Sequence, residues 1–265
     1  MNPTIDYNCL AFVATQAALA AGEILRKGFG QKCEISSKPG IQNIVTEYDQ
    51  ASEFIILDML KKRFPHHNFL AEEGGLSSQT DSSTLLWLID PLDGTSNFAR
   101  QIPIFAVSIG AYSNTEGVLG VIYQPMTNEL FIAIKGTGAY LNGKKLSVSP
   151  IRELNKALIH LGLPSRSTKH PTIDLPGLDR FNKTGATARN FGSAALGLAY
   201  VAAGKMDGLW MNNLFPWDWG AGRVLIEEAG GQVTHFMKNG ELFYDPSNVL
   251  ATNPHLHSVL TEYIK

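Results

Sequence analysis

Hydrophobic and polar positions follow two patterns along the chain, first with helical spacing and later in short apolar runs. Residues 6–29 are alanine-rich and amphipathic, which predicts a first helix. A second helix is predicted over residues 48–63, because Thr46 and Asp49 stand at the spacing of a capping box around its start. The intervening residues 36–45 are polar and contain Gly and Pro, which indicates a loop.

Short apolar runs bounded by turn residues fill the middle of the chain, a pattern typical of strands. The predicted strands are 85–89, 105–112, 118–123 and 129–135, and Asn142-Gly143 indicates a hairpin between 139–141 and 145–147. Strands and helices alternate after Pro150. The predicted strands there are 157–161, 206–211, 233–236 and 248–251, and the predicted helices are 193–203, 218–229 and 253–264.

This order of elements predicts an α/β fold of layered helices and sheets. With 265 residues, 44% of them hydrophobic, the chain can bury a substantial core as a single domain. We expect that domain to consist of two closely joined halves, residues 1–150 and 151–265, with a seam near residues 147–156.

Composition narrows the class of protein. The net charge is -2 and the charged residues are dispersed, so nucleic-acid binding is not indicated. Cys9 and Cys33 are the only cysteines, and they show neither metal-site spacing nor a disulfide framework. The N-terminal region lacks the basic start of a signal peptide, and the apolar stretch 11–21 is interrupted and too short to cross a bilayer. We therefore expect a cytoplasmic protein without a membrane segment.

The strongest chemical signal is the segment Asp90–Phe98, which reads D-P-L-D-G-T-S-N-F directly after an apolar run. Asp90 and Asp93 place two carboxylates at the end of the predicted strand, and Gly94 and Thr95 follow with backbone amides. Carboxylates bind hard cations, and amides at a helix start bind phosphate. Asp, Pro and Gly are also ordinary turn formers. The match of the whole string to the pattern of a known family, together with other acidic motifs at suitable positions, favours a metal-assisted phosphate site over a structural turn.

Two further segments extend the acidic set. Glu72 follows the apolar Phe69-Leu70 in an acidic, Gly-containing turn, and Asp218 stands between two tryptophans where we expect a helix to begin. Taken alone, Glu72 would belong to an exposed acidic turn and Asp218 to a helix N-cap; as metal ligands, such carboxylates would suit Mg²⁺ or Mn²⁺ rather than zinc. The sequence contains no Walker-type phosphate loop and no recognisable Ser or Cys nucleophile motif, which favours direct attack by water.

Five separated segments together resemble the inositol monophosphatase family, a group of magnesium-dependent, lithium-sensitive phosphatases. They are Lys38 with Asp49, Ala71–Gly75, Asp90–Phe98, Gly192–Ala195 and Trp217–Gly222. Two of them depart from the family pattern, because Ala71 replaces a glycine and Gly220 replaces an alanine. The resemblance implies an αβαβα sandwich and a homodimer.

The resemblance also implies a set of metal ligands for two or three Mg²⁺ ions, which Mn²⁺ can replace. Asp90 would bridge two ions, and the Leu92 carbonyl would coordinate the first. Asp93 and Asp218 would be ligands of the second ion, and Glu72 matches a further ligand of the family.

Catalytic roles follow from the same resemblance. Thr95 and Asp49 would hydrogen-bond the attacking water, and Glu72 would contribute to catalysis as a metal ligand. The backbone amides of Gly94 and Thr95 would bind the phosphate. Lys38 would lie on a mobile loop near a third metal.

The substrate contacts implied by the resemblance are Asp93 and the backbone of Gly192, Ser193 and Ala194. In inositol-specific members a glutamate seven residues before the W-D aspartate contacts the substrate, but this chain has Met211 there. A thioether cannot replace a carboxylate as acceptor for a sugar hydroxyl. We expect a small phosphate monoester, a polyol or sugar monophosphate, as substrate. Histidinol phosphate, fructose bisphosphate and 3′-phosphoadenosine nucleotides stay open as alternatives, as does a non-catalytic regulatory protein on this fold.

Overall fold

The computed structural model describes residues 6–32, 34–37, 44–77, 85–162, 175–236 and 246–264. Its α-helices are α1 (Tyr7–Gly28), α2 (Glu47–Arg63), α3 (Thr95–Ala99), α4 (Leu175–Lys183), α5 (Ala194–Ala202), α6 (Pro216–Glu228) and α7 (Pro254–Ile264). A single 3₁₀ turn, Leu154–Lys156, is the other helical segment among the described residues.

Three sheets are formed by strands of the described residues. The small sheet pairs β1 (Ile35–Ser37) with β2 (Ile44–Thr46). The eight-stranded sheet contains β3 (Asn68–Ala71), β4 (Gly75–Ser77), β5 (Leu86–Asp93), β6 (Ala106–Ser113), β7 (Glu116–Gln124), β8 (Glu129–Ile134), β9 (Gly138–Leu141) and β10 (Lys144–Lys145). The five-stranded sheet contains β11 (Leu158–Leu161), β12 (Thr187–Arg189), β13 (Gly208–Leu214), β14 (Gln232–Phe236) and β15 (Ser247–Thr252).

Helices and sheets alternate as five layers. Helices α1 and α2 cover the outer face of the eight-stranded sheet, contacting strands β5 to β8. Helices α5 and α6 lie between the two large sheets, where a core cluster contains residues of both. Helix α7 packs on β15, and α4 contacts α7 on the far side of the five-stranded sheet. The layered α/β fold predicted from the sequence is therefore confirmed.

Most predicted elements are present, and three predictions about them were wrong. The segment predicted as a loop over 36–45 carries strand pairing at both ends, between Ser36 and Val45 and between Ser37 and Ile44. The strand expected to stop at Ile89 continues to Asp93 as β5. The helix expected to begin at Asp218 begins at Pro216.

Helix α1 has the predicted extent, but it corrects the expectation that its apolar stretch is too short to cross a bilayer. It has 22 residues, and by length and composition alone it could cross a membrane, whereas the sequence predicted an apolar stretch too short to do so. One face of α1, from Leu10 through Ala14, Ala17 and Ala21 to Leu25, is instead buried in the core cluster that it shares with the sheet, while Phe12 is exposed. Helix α1 is therefore a core helix of this fold.

Glycines bring α6 into direct backbone contact with the eight-stranded sheet. A Cβ on Gly110 of β6 would lie 3.0 Å from the Ala221 amide nitrogen, and one on Gly120 of β7 would overlap the Ala221 carbonyl oxygen. On the helix side, a Cβ on Gly220 would lie 2.6 Å from Cδ1 of Leu88. The small residues that follow Asp218 therefore fix the distance between α6 and the sheet.

Candidate active site

The Asp90 motif occupies the last residues of β5, and the irregular pairing of this strand shapes it. Asp90 pairs with Ser108 and Asp93 with Ala106 of β6, and the register shifts between these two pairs. Pro91 lies within that irregular stretch. Because proline has no N–H group, this is a place in the strand where it breaks no regular inter-strand hydrogen bond. Both carboxylates are buried, with Asp90 2% and Asp93 8% exposed.

A cluster of negative charge surrounds Asp90. Its pKa is raised well above the usual range by burial and by the charges of Glu72, Asp93 and Asp218, while the Leu92 amide hydrogen bond at 2.9 Å opposes this effect. Burial also raises the pKa of Asp93 to about 6. The structure thus brings the other three predicted carboxylate ligands within electrostatic range of Asp90.

A second hydrogen-bonded group connects Asp49 of α2 with Thr95 of α3. The Thr95 hydroxyl lies 2.9 Å from Asp49 Oδ1 and 3.0 Å from the Leu92 carbonyl oxygen. Asp49 Oδ2 accepts from the Thr46 amide at 2.7 Å and the Thr46 hydroxyl at 2.6 Å, which forms the predicted capping box. Burial raises the pKa of Asp49 to about 6, although the hydrogen bonds from Thr46 and Thr95 act to lower it. The fold therefore places Asp49 beside Thr95, 46 positions apart in sequence.

The turn that carries Glu72 is held by a carboxylate that the sequence analysis missed. The Glu72 amide donates to the Ile89 carbonyl at 3.1 Å, which places this turn beside the end of β5. Glu53 of α2, 6% exposed, accepts a hydrogen bond from the Glu73 amide at 2.8 Å. Its spacing of four residues from Asp49 puts both on one helix face, which is the signal that could have identified it.

Asp218 is the third residue of α6 rather than its N-cap. Its carboxylate accepts from the Phe215 amide at 2.7 Å, and its own amide donates to the Phe215 carbonyl at 3.0 Å. The prediction that Asp218 opens the helix was wrong because Pro216 is suited to the first helical position. The carboxylate nevertheless lies in the first turn, where a negative charge is favourable.

Gly94 takes the left-handed conformation, with φ of 100°, as the N-cap of α3. A Cβ there would lie 3.0 Å from the Ile104 carbonyl oxygen and 3.3 Å from that of Gly192. The backbone segments around Gly94, Ile104 and Gly192 therefore meet at the start of α3. Such a turn can present backbone amides, rather than side chains, to a ligand.

The donor chemistry of this cluster fits Mg²⁺ or Mn²⁺. Carboxylate and carbonyl oxygens converge on the end of β5, and their mutual repulsion would be relieved by divalent cations. Among the described residues, no three Asp, Glu, His or Cys side chains already enclose one ion position. The carboxylates of Asp93 and Asp218 are directed at backbone amides, so each must coordinate through its remaining lone pairs or turn.

The predicted substrate contacts have different surroundings. Ser193, the N-cap of α5, donates its hydroxyl to Asp93, and the Ala194 amide donates to Asp93 Oδ1 at 3.2 Å. Gly192 precedes them with φ of 70°. Met211 is half-buried at the edge of the central core cluster, and a Cβ on Gly162 would lie 2.5 Å from its Cγ. Lys38 lies outside the described residues.

Comparison with known proteins assigns the chain to a family. Residues 6–265 match the model of the inositol monophosphatase family. Nus factor SuhB of Escherichia coli (strain K12) is 39% identical over 243 residues, covering 91% of this chain and 90% of that protein. Inositol-1-monophosphatase of Caulobacter vibrioides is 38% identical over 253 residues, covering 94% and 98%. The crystal structure of extragenic suppressor protein suhB from Bartonella henselae superposes with a TM-score of 0.86 at 38% identity, covering 97% and 98%. The chain belongs to the inositol monophosphatase family.

Proposed function

We propose that this protein is a Mg²⁺-dependent phosphomonoesterase that hydrolyses small polyol or sugar monophosphates with water as the nucleophile. The observation that carries the proposal is the acidic cluster at the end of β5, in which Asp90 and Asp93 are buried and the half-buried Glu72 and Asp218 add their charges. Burying several carboxylates is costly, and divalent cations with oxygen ligands offset that cost. Membership of the inositol monophosphatase family supports the same activity.

The ligands for two or three ions are oxygen atoms of Glu72, Asp90, Leu92, Asp93 and Asp218. These residues would hold Mg²⁺, or Mn²⁺ in its place, which would supply charge neutralisation of the phosphate dianion and a lower pKa for the attacking water. The protein holds these ligands on β5, on the turn after β3 and on α6, so the chain itself provides mainly positioning.

Asp49 and Thr95 orient the attacking water. When the Thr95 hydroxyl donates its single proton to Asp49, the lone pairs of the Thr95 oxygen are left to accept a hydrogen bond from water. The backbone amides of Gly94 and Thr95 then bind the phosphate oxygens. Lys38 would act near a third metal ion, as the family resemblance implies.

Met211 sets the choice among phosphate esters. Because its thioether offers only a weak acceptor, the pocket recognises a polyol less strictly than an inositol-specific enzyme. We therefore propose a broad preference that includes inositol 1-phosphate without strongly favouring it.

The test is phosphate release by the purified protein from a panel of monoesters. The panel contains inositol 1-phosphate, glycerol 2-phosphate, histidinol phosphate, fructose 1,6-bisphosphate and 3′-phosphoadenosine 5′-phosphate, each with Mg²⁺, with EDTA and with added Li⁺. We expect Mg²⁺-dependent, Li⁺-inhibited release that is highest for polyol or sugar monophosphates. Release that is equal in EDTA would contradict the proposal.

A regulatory role is the second candidate, because a relative with 39% identity is named a Nus factor. The regulatory role would replace the phosphatase proposal if the purified protein bound Mg²⁺ but released no phosphate from any monoester. We further propose that the protein is cytoplasmic and forms a homodimer. Light scattering of the purified protein tests the dimer.

A further inference from the structure

Asp93 is held from the opposite half of the chain by the first turn of α5. Its Oδ2 accepts the Ser193 hydroxyl and, at 2.7 Å, the Ala195 amide, and its Oδ1 accepts the Ala194 amide at 3.2 Å. The donors lie about a hundred positions from Asp93 in sequence. Ser193 is 1% exposed, so water does not compete for this contact.

These three hydrogen bonds restrict the direction of the carboxylate. A carboxylate offers about four lone-pair positions, and three donors from one helix turn leave few for another ligand. The Ser193 hydroxyl also accepts from the Leu196 amide at 3.3 Å, which fixes its proton towards Asp93. The Ala194 amide, expected from the family resemblance to face the substrate, is instead directed at Asp93.

The segment before α5 is itself anchored beside Asp93. The Asn97 side chain of α3 donates to the Ile104 and Phe191 carbonyl oxygens, both at 2.7 Å. A Cβ on Gly192 would lie 3.0 Å from Asn97 Nδ2, so the two segments are in close contact. The start of α5 therefore cannot move away from Asp93 without breaking bonds to α3.

We propose that Ser193 is a positioning residue that orients Asp93 for divalent-cation binding, together with the first amides of α5. The inference rests on the proposed function, because it takes Asp93 to be a metal ligand. Groups that hydrogen-bond a metal ligand typically affect metal affinity by about tenfold to a hundredfold. The two amides persist in Ser193→Ala, so we expect the lower part of that range.

The experiment measures Mn²⁺ affinity directly, by electron paramagnetic resonance titration of the full chain without substrate. The variants are Ser193→Ala and Ser193→Thr, which keeps the hydroxyl. The control is Asp6→Ala, which removes the N-cap of α1 without touching the site. We expect about tenfold weaker binding in Ser193→Ala, and affinity close to wild type in Ser193→Thr and Asp6→Ala. Thermal unfolding of each variant shows whether a loss of affinity merely follows a loss of fold.

The outcomes separate this inference from the proposed function. Wild-type Mn²⁺ affinity in a folded Ser193→Ala protein would overturn the positioning role and leave the phosphatase proposal standing. Equal weakening in Ser193→Ala and Ser193→Thr would also overturn it, since the hydroxyl would then not be the cause. A wild-type protein that binds no Mn²⁺ would overturn both.

Discussion

The two halves of the chain contribute to the site in contrasting ways. The first half buries ionisable carboxylates and supplies them with donors, as Asp49 shows with three hydrogen bonds. The second half presents Met211 and, deeper in β11, the buried His160, whose ring nitrogens have no hydrogen-bond partner among the described residues. The same burial raises the pKa of Asp49 to about 6 and lowers that of His160 to about 4. The first half therefore concentrates buried charge, whereas the second half contributes Asp218 and otherwise packs neutral side chains, among them Met211, which we propose influences the choice of substrate.

Removing one acidic ligand should have the largest effect. We expect Asp93→Asn to lower phosphate release by at least about a thousandfold, because charge and coordination geometry are lost together. The amide oxygen of asparagine can still accept a hydrogen bond from α5, so the fold should persist. Steady-state kinetics measures the loss, with Asp179→Asn on the exposed surface of α4 as control. Near-normal turnover in Asp93→Asn would remove Asp93 from the ligand set.

Disturbing the water-orienting pair should have a smaller effect. We expect Thr95→Ala and Asp49→Asn each to lower kcat by roughly 10²–10³ and to change KM much less, since both groups act on the nucleophile. Thr95→Ser keeps the hydroxyl and should retain most activity. If KM rises and kcat is unchanged, the residue belongs to substrate binding instead.

Changing Met211 should alter the preference among substrates rather than the turnover number. We expect Met211→Glu to raise the kcat/KM ratio of inositol 1-phosphate over glycerol 2-phosphate by about tenfold to a hundredfold, because an acceptor for a hydroxyl is gained. Met211→Leu is the control, since it keeps an apolar side chain beside Gly162. A wild-type protein that already strongly prefers inositol 1-phosphate would show that another group, such as Asn212 or Asn213, supplies the contact.

The neutral packing of His160 predicts the smallest effect, on stability and not on activity. Its folded pKa of about 4 lies below the ordinary 6.5, so the unfolded chain binds more protons between these values. This residue's contribution to stability should therefore be lost progressively as pH falls from about 6.5 to about 4, by roughly 3 kcal/mol over that whole interval. Urea unfolding of wild type and His160→Leu from pH 7 to pH 5 measures it. Parallel stability curves for the two proteins would contradict the prediction.

Local sequence signals predicted the elements that local chemistry determines. Thr46 and Asp49 at capping-box spacing located the start of α2 to within one residue, because both partners lie in one turn. The end of β5 was missed because Pro91 is normally a strand breaker, and only the irregular pairing with β6 accommodates it. Strand β1 was missed because its pairing with β2 comes from a segment seven or more positions away.

The site shows the same limit more clearly. The sequence selected the residues that meet at the end of β5, and the structure brings Asp49 to Thr95, although their catalytic roles stay predictions. The contact between Ser193 and Asp93 joins residues 100 positions apart and leaves no periodic signal. Asp218 was misplaced within its helix because a first-turn aspartate and an N-cap aspartate look alike when Pro216 is overlooked.

The direct backbone contact of α6 with β6 and β7 makes remote glycines part of the accuracy of the site. Side-chain packing can adjust by changing rotamers, but backbone resting on backbone has no such freedom. An added methyl group on Gly120 would push α6 outward and carry Asp218 with it. Displacements of about 1 Å can cost roughly a hundredfold in rate. A substitution of glycine by alanine in the middle of a strand would therefore abolish the proposed activity while every proposed ligand is still present.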